Sequence, residues 1–195
     1  PLGVLSAVKQ YSWIDNITRV TSVTLSAFPS FWFYMMAVIF FSLQLGLFPS
    51  GGADSWVHYV LPVGCASILN SSSLQRMTRT TMLETIRQDY VRTARAKGCA
   101  KVSIVWKHAF LNAALPIINS VGVGFAGMLG GTVICESVFN MPGLGTVIIK
   151  AINAKDVPLV MGCTVLLSTI FCLMVLLIDI VSSLVDPRVR AKLAG

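Results

Sequence analysis

The chain has 195 residues, of which 55% are hydrophobic and 12% are charged, and its mean hydropathy is +0.76. Soluble domains carry about 25% charged residues, so this composition excludes an ordinary soluble domain and favours a protein that is solvated by lipid. The net charge of +7 would suit a nucleic-acid binder, but the basic residues alternate with apolar runs instead of forming one continuous surface.

In chain order, residues 1–8 form a short apolar stretch that we interpret as the end of a preceding helix of a longer chain. Four spans are then predicted at about 21–48, 57–80, 109–135 and 157–183, and each has the roughly 20 residues that a membrane helix needs. The sequence therefore predicts an all-α membrane protein, a polytopic helical bundle with four full spans after the stub, within one domain over 1–195.

The predicted spans differ in polarity and carry internal prolines. The run 55–75 has no formal charge but holds His58, Asn70, the three consecutive serines 71–73 and Gln75, so we expect this helix to face the protein interior. Pro29, Pro62 and Pro116 lie inside or at the ends of spans, where neighbouring groups can satisfy the carbonyls that they free.

Basic residues predict the orientation of the chain. Thirteen of the 15 Lys and Arg fall in 1–19, 76–107 or the tail after 186, and only Lys150 and Lys155 fall in a segment on the opposite side. Because cytoplasmic loops are enriched in Lys and Arg, both ends of the chain and the segment 76–108 are predicted to be cytoplasmic.

Motifs for chemistry within the membrane are absent. The run Gly122 to Gly127 matches G-x-G-x-x-G, but it lies inside an uncharged apolar span instead of between a strand and a helix. The sequence has no P-loop, and its five cysteines show no C-x-x-C pairing. We expect free thiols, no cofactor, no metal site and no catalytic residues, so the chain is not predicted to be an enzyme.

Small and acidic residues at the later spans allow further predictions. Gly127 and Gly131 form a G-x-x-x-G, which predicts close helix packing. Asp179 is expected to form a structural ion pair with Arg188 or Arg190, although an acidic residue in a span can also be functional. Glu136, at the outer end of the third span, is open to the same two interpretations.

The basic segment 84–112 is predicted to form two short amphipathic helices separated at Gly98, a plausible helix stop. On the first helix, Ile86, Tyr90 and Ala94 recur at the spacing of one face. On the second helix, one face carries Val102, Val105, Trp106 and Ala109. Composition leaves two partners equally open for this segment, anionic lipid and a protein surface.

Several segments resemble one family along the whole chain. "DYVRTARAKG" followed by "KHAFLNAALPI" resembles the cytoplasmic coupling loop of ABC importer permeases, in particular the dipeptide/oligopeptide/nickel group. "ESVFNMPGLGTVIIKAINAKDVPLVMG" resembles the outer hairpin before the last helix, and "DPRVR" (186–190) resembles the C-terminal signature. The general Glu-Ala-Ala motif reads Arg92-Thr93-Ala94 here, so no role of that glutamate is transferred.

The resemblance implies the permease subunit of a type I ABC importer in the bacterial inner membrane, with a cytoplasmic C-terminus, that carries peptides, nickel or a related small solute. It implies a coupling loop at about 84–108 that docks on an ATPase subunit, and an outer hairpin turn at Pro142, Gly143 and Gly145. The implied coupling residues are Asp89, Tyr90, Val91, Arg92, Thr93, Ala94, Arg95, Ala96, Lys97 and Gly98.

The implied partners are ATP-binding subunits, a second permease that is homologous but different, an extracytoplasmic solute-binding protein and the lipid bilayer, with no nucleic acid. The alternative is a secondary transporter or channel that works without an ATPase. Such a protein would want several ionisable groups at mid-membrane, and the spans offer little beyond Asp179.

Overall fold

The computed structural model describes residues 1–130 and 133–185, and the regular structure of that part is entirely helical. The predicted all-α class is therefore confirmed. Two segments are π-helical: Val38–Gln44 continues the helix Ser30–Ala37, and Ile104–Phe110 joins the helix Lys101–Ser103 to the helix Leu111–Gly130. The helices in chain order are α1 Leu2–Val8, α2 Trp13–Ala27, α3 Ser30–Ala37, α4 Val57–Ile86, α5 Asp89–Ala96, α6 Lys101–Ser103, α7 Leu111–Gly130, α8 Val133–Val138, α9 Leu144–Asn153 and α10 Val157–Val185.

Two of the described helical stretches are long and apolar enough to cross a membrane, Lys101–Met128 and Val157–Leu184. A third span results if the bent pair Trp13–Ala27 and Ser30–Gln44 is counted as one. Helix α4, which contains the predicted span 57–80, has 30 residues and is long enough, but it is too polar to meet the same criterion. The count of four spans therefore stays a prediction.

The span predicted at 21–48 is not one continuous helix. Helix α2 ends at Ala27 and α3 begins at Ser30, and Pro29 between them has φ −59° and ψ 135°. Proline lacks an N–H and disfavours helical geometry in the residue before it, here Phe28. Pro29 thus lies at a break between two helices that can form one bent span, whereas Pro62 and Pro116 lie inside α4 and α7.

The chain divides into two compact units, and the predicted single domain over 1–195 stays a prediction. Among the described residues, the first unit comprises 1–25, 71–123 and 176–185. Its core contains Val4 and Ala7 of α1, Met82 of α4, and Ala109 and Ala113. A Cβ at Gly3 would come within 2.7 Å of the Gln75 carbonyl oxygen, so glycine allows α1 to lie directly on α4.

The second unit comprises residues 26–70 and 124–175. Its core cluster joins α3, α4 and α8, and the Tyr34 and Phe139 rings lie with centroids 5.8 Å apart at 60° to each other. The Phe139 carbonyl also accepts a hydrogen bond of 3.0 Å from the Gly52 N–H, which attaches the loop before α4 to the end of α8. The buried members of the cluster are Tyr34, Ala37, Leu61, Cys65, Cys135 and Phe139.

Candidate functional site

Helix α5, within the segment predicted to be a coupling loop, is a short amphipathic helix. It buries Val91 and Ala94 and leaves its other residues accessible. The predicted face of Ile86, Tyr90 and Ala94 was wrong, because α4 ends at Ile86 and the chain is extended at Gln88, with φ −70° and ψ 152°. The exposed residues of the predicted coupling set are Asp89, Tyr90, Arg92, Thr93, Arg95, Ala96, Lys97 and Gly98.

Helix α5 stops at Gly98 through a Schellman motif. The Gly98 N–H donates to the Arg95 carbonyl at 3.1 Å, and the Cys99 N–H donates to the Ala94 carbonyl at 3.2 Å. Gly98 has φ +79°, a left-handed conformation that glycine adopts without steric cost. The predicted helix stop is confirmed.

The chain after Gly98 begins a long helix instead of a second short one. Helix α6 starts at Lys101, and helical structure continues without a break through the π-helical segment into α7. The expectation of a separate helix over 101–112 was wrong because no glycine or proline interrupts the chain before Pro116, which α7 accommodates. Helix α5 packs on the π-helical segment, so it lies against the first turns of a membrane-length helix.

The exposed face of α5 carries mostly positive charge. Arg92 lies 3.7 Å from Asp89, with side chains 78% and 98% exposed, and a pair in that setting contributes little stability. Arg95 and Lys97 form no ion pair within residues 1–130 and 133–185. The surface is thus available to an acidic partner.

The predicted outer hairpin turn joins α8 to α9 around a carboxylate. Glu136 of α8 accepts a 3.1 Å hydrogen bond from the Thr146 N–H in the first turn of α9. The Thr146 hydroxyl accepts from the Gly143 N–H at 3.2 Å and donates to the Gly143 carbonyl at 2.8 Å. Gly143 at the N-cap position has no side chain, so the Glu136 carboxylate caps α9 in its place. This favours the structural interpretation of Glu136.

The glycines and Pro142 of this turn have distinct settings. A Cβ at Gly143 would overlap the Glu136 carboxyl group, and one at Gly145 would lie 2.7 Å from the Val133 Cα, so both glycines permit α9 to approach α8. Pro142 is exposed. Asn140 ends α8 with φ +46°, and the Met141 N–H donates to the Glu136 carbonyl at 2.8 Å.

The predicted packing glycines are placed differently from each other. A Cβ at Gly127 would meet nothing within 4 Å, and this glycine lines a cavity of about 420 Å³ with Tyr34 and Asn70. Gly131 lies outside the described residues, so the packing role of the pair stays a prediction. Close approach occurs instead at Gly122, where a Cβ would overlap the Ile178 side chain of α10.

The buried ion pair between Asp15 and Arg79 was not predicted from the sequence. Asp15 is fully buried, and its carboxylate accepts from the Ser6 hydroxyl at 2.5 Å, the Tyr11 N–H at 2.9 Å and the Arg79 guanidinium at 2.7 and 2.8 Å. These contacts join α1, α2 and α4. The available signal was one acid and one arginine in two segments predicted to end on the same side of the membrane. Asp179 is exposed on α10, and its predicted partners Arg188 and Arg190 lie outside the described residues.

Comparison with known proteins gives one consistent family. Residues 1–191 match the family described as binding-protein-dependent transport system inner membrane component. The glutathione transport system permease protein GsiC of Salmonella choleraesuis (strain SC-B67) is 36% identical over 191 residues, which are 98% of this chain and 62% of that protein. The protein of the same name from Escherichia coli (strain K12) is 35% identical over 190 residues, which are 97% of this chain and 62% of the relative.

The chain therefore belongs to the binding-protein-dependent transport system inner membrane components, the permeases of ABC importers, in the group that includes peptide and glutathione permeases. It spans about 62% of the length of these curated relatives. Its family and its apolar helices make it a multi-pass bacterial membrane protein.

Proposed function

We propose that this chain forms part of the translocation path of an ATP-driven importer and that α5 transmits the closure of a separate ATPase subunit to the membrane helices. The importer would also contain a second permease chain and an extracytoplasmic solute-binding protein. Alternating access in transporters proceeds largely by rigid-body rocking around a central site. In this proposal α5 is the surface on which the rocking force acts.

The packing of α5 against a membrane-length helix is the main support for the proposal. Helix α5 buries Val91 and Ala94 and packs on the π-helical segment Ile104–Phe110, which continues into the apolar helix that ends near Met128. A force on the exposed residues of α5 therefore acts on a membrane-length helix through a buried contact and not through a flexible linker. The Gly98 turn makes the connection from α5 to α6 only four residues long, 97–100.

A peptide-like substrate is the narrower proposal. The relatives are named as glutathione permeases, and glutathione is a small peptide with a thiol. This favours peptides over nickel within the group that the sequence resembles. The outer hairpin, held rigid by Glu136 and Gly143, is proposed as the surface that meets the solute-binding protein.

The test uses the full-length permease assembled with its ATPase and second permease subunits in proteoliposomes, with glutathione-loaded binding protein outside. Arg92→Glu reverses a charge on the exposed face of α5, and Gly98→Pro imposes a φ near −65° where the backbone has +79°. Each variant is expected to lower uptake about tenfold or more, as loss of a central interface contact does, while the assembly still hydrolyses ATP. Uptake and ATP hydrolysis are measured on the same vesicles.

Arg19→Glu is the matched control, because Arg19 is an exposed arginine of α2 outside the predicted coupling residues. Its uptake should stay near that of the unaltered protein. Wild-type uptake in both α5 variants would reject the coupling role of α5. Uptake by the permease chains alone, driven by an ion gradient, would replace the proposal with a secondary transporter.

A further inference from the structure

A second cavity lies behind α5, within the first unit. It has a volume of about 410 Å³ and is bounded by α1, the end of α4, α5 and the start of the helix from Lys101. Its polar border includes three cations, Arg87, Arg95 and Lys101. Its walls include Val8, Ile86 and Val105. The cavity thus combines positive charge with an apolar interior.

The three cations are not neutralised within the described part of the chain. None of the residues that line the cavity is acidic. Arg87, Arg95 and Lys101 form no ion pair within residues 1–130 and 133–185. Three cations around one cavity repel one another unless an anion lies between them. The cavity is therefore chemically complementary to an anion that also carries apolar groups.

The position of the cavity favours a lipid. The wall residue Val105 is followed by Trp106, which is 50% exposed, and the border residue Gln10 is followed by Tyr11, which is 76% exposed. Exposed Trp and Tyr are enriched at the level of the lipid headgroups. The helix that begins at Lys101 is one of the two that are long and apolar enough to cross the bilayer. The cavity accordingly lies where a membrane helix begins, at the end predicted to be cytoplasmic.

We propose that this cavity binds one anionic phospholipid, with its phosphate among Arg87, Arg95 and Lys101 and the first carbons of its chains against Val8, Ile86 and Val105. Arginine forms bidentate hydrogen bonds with phosphate oxygens, and basic pockets beside membrane helices on this side bind anionic headgroups. An acidic side chain from a partner protein would meet the cations but would leave the apolar walls without a partner. The lipid satisfies both.

The experiment measures lipid binding to the full-length permease, assembled with its partner subunits, by native mass spectrometry in detergent. Phosphatidylglycerol is titrated against phosphatidylethanolamine with the same acyl chains. One phosphatidylglycerol is expected for each copy of the chain. Because each cation near the headgroup contributes about 1 kcal/mol, Arg87→Gln with Lys101→Gln should weaken binding of phosphatidylglycerol about 10- to 30-fold.

Two further double variants separate the site from general effects. Arg19→Gln with Lys107→Gln removes the same charge from exposed positions that do not line the cavity, and should leave the affinity nearly unchanged. Arg87→Lys with Lys101→Arg keeps the charge and should keep the lipid. A folding defect in the neutral variant would show as loss of the assembly in the same spectra, and the charge-retaining variant then decides, since its failure to hold the lipid overturns the proposal.

Three results would contradict the lipid assignment. Equal losses in both charge-neutralising double variants would mean that only the overall surface charge attracts the lipid. Displacement of the lipid by excess inorganic phosphate would mean that the anion alone is recognised. A lipid that is absent from the full assembly but binds once the ATPase subunits dissociate in the same spectra would mean that a protein carboxylate occupies the cavity. Because Arg87 and Lys101 lie outside the coupling residues 89–98, each of these results leaves the coupling proposal to its own test.

Discussion

The Arg79 guanidinium donates hydrogen bonds to both oxygens of the buried Asp15 carboxylate, with Nε 2.7 Å from Oδ1 and a terminal nitrogen 2.8 Å from Oδ2. The Ser6 hydroxyl and the Tyr11 N–H complete the shell of the carboxylate. A buried charge is costly unless it is paired and hydrogen-bonded. This arrangement satisfies both requirements and attaches the α1–α2 connection to α4.

Asp15→Asn is expected to destabilise the protein by about 3–5 kcal/mol, because it leaves the Arg79 charge largely buried without its partner. Arg79→Met should destabilise the protein by a similar amount, because it leaves the buried Asp15 carboxylate without its cation. The double variant should cost clearly less than the sum of the two, since the residues share one interaction. Thermal unfolding in detergent measures all three.

Arg92→Gln is the control for the ion pair, because it removes an arginine from the exposed contact with Asp89. Its expected effect on unfolding is below about 1 kcal/mol. Strict additivity of the Asp15 and Arg79 substitutions would show that the two side chains do not act together.

The turn at Gly98 predicts a backbone effect that is independent of side-chain contact. A Cβ at this position would meet nothing within 4 Å, yet φ is +79°. Gly98→Ala should therefore weaken the turn by about 1–2 kcal/mol through left-handed strain alone, and Gly98→Asn should cost less. Hydrogen exchange at the Gly98 and Cys99 amides reports the change.

Gly64→Ala provides the comparison for Gly98, since Gly64 lies within α4 and also has open space around its Cβ position. Alanine is a better helix former than glycine by about 1 kcal/mol, so this substitution should be neutral or stabilising. Equal protection in Gly98→Ala and the unaltered protein would refute the strain argument.

Turn chemistry and the distribution of charge predicted parts of this fold from the sequence. The helix stop at Gly98 followed from one glycine after a basic helix, and the last span followed from a run without charge. These signals are local, because each depends on residues within a few turns of one another.

The failures came from one helix boundary and from contacts between distant segments. The buried face of α5 depends on where α4 ends. Because α4 ends at Ile86, Val91 is buried and Tyr90 is exposed. The partner of Asp15 is 64 positions away. Gly122 and Gly127 look alike in an apolar span, and only the position of Ile178 in α10 distinguishes them.

The contact between Gly122 and Ile178 gives a third prediction. Gly122→Ala introduces a methyl group into the space that the Ile178 side chain occupies, and overpacking of this kind costs about 1–3 kcal/mol of stability. Ile178→Val in the same chain removes one carbon and should restore part of the loss. Unfolding in detergent measures each variant.

Gly124→Ala is the matched control for Gly122, because it lies two positions along the same helix and a Cβ there would meet nothing within 4 Å. We expect it to be neutral or mildly stabilising. If Gly122→Ala proved as harmless as Gly124→Ala, the two helices would not approach as closely at this point as the structure has them.

The outer hairpin provides the last prediction. Gly143→Ala places a methyl group where the Glu136 carboxyl group lies. It should therefore overpack the turn and displace the acceptor of the Thr146 N–H. We expect a loss of about 1–3 kcal/mol, measured as faster proteolysis and hydrogen exchange within 133–156. Glu136→Ala alone should cost about 1 kcal/mol, the usual effect of losing a helix cap.

The double variant of Gly143 and Glu136 discriminates between overlap and a general defect. If the carboxylate is the obstacle, Glu136→Ala creates room for the new methyl group, and the double variant should be no less stable than Gly143→Ala alone. Gly162→Ala, in the second turn of α10 with open space around it, should leave the hairpin unchanged. A double variant whose loss equals the sum of the single losses would mean that Gly143 is required for a reason other than the approach of Glu136.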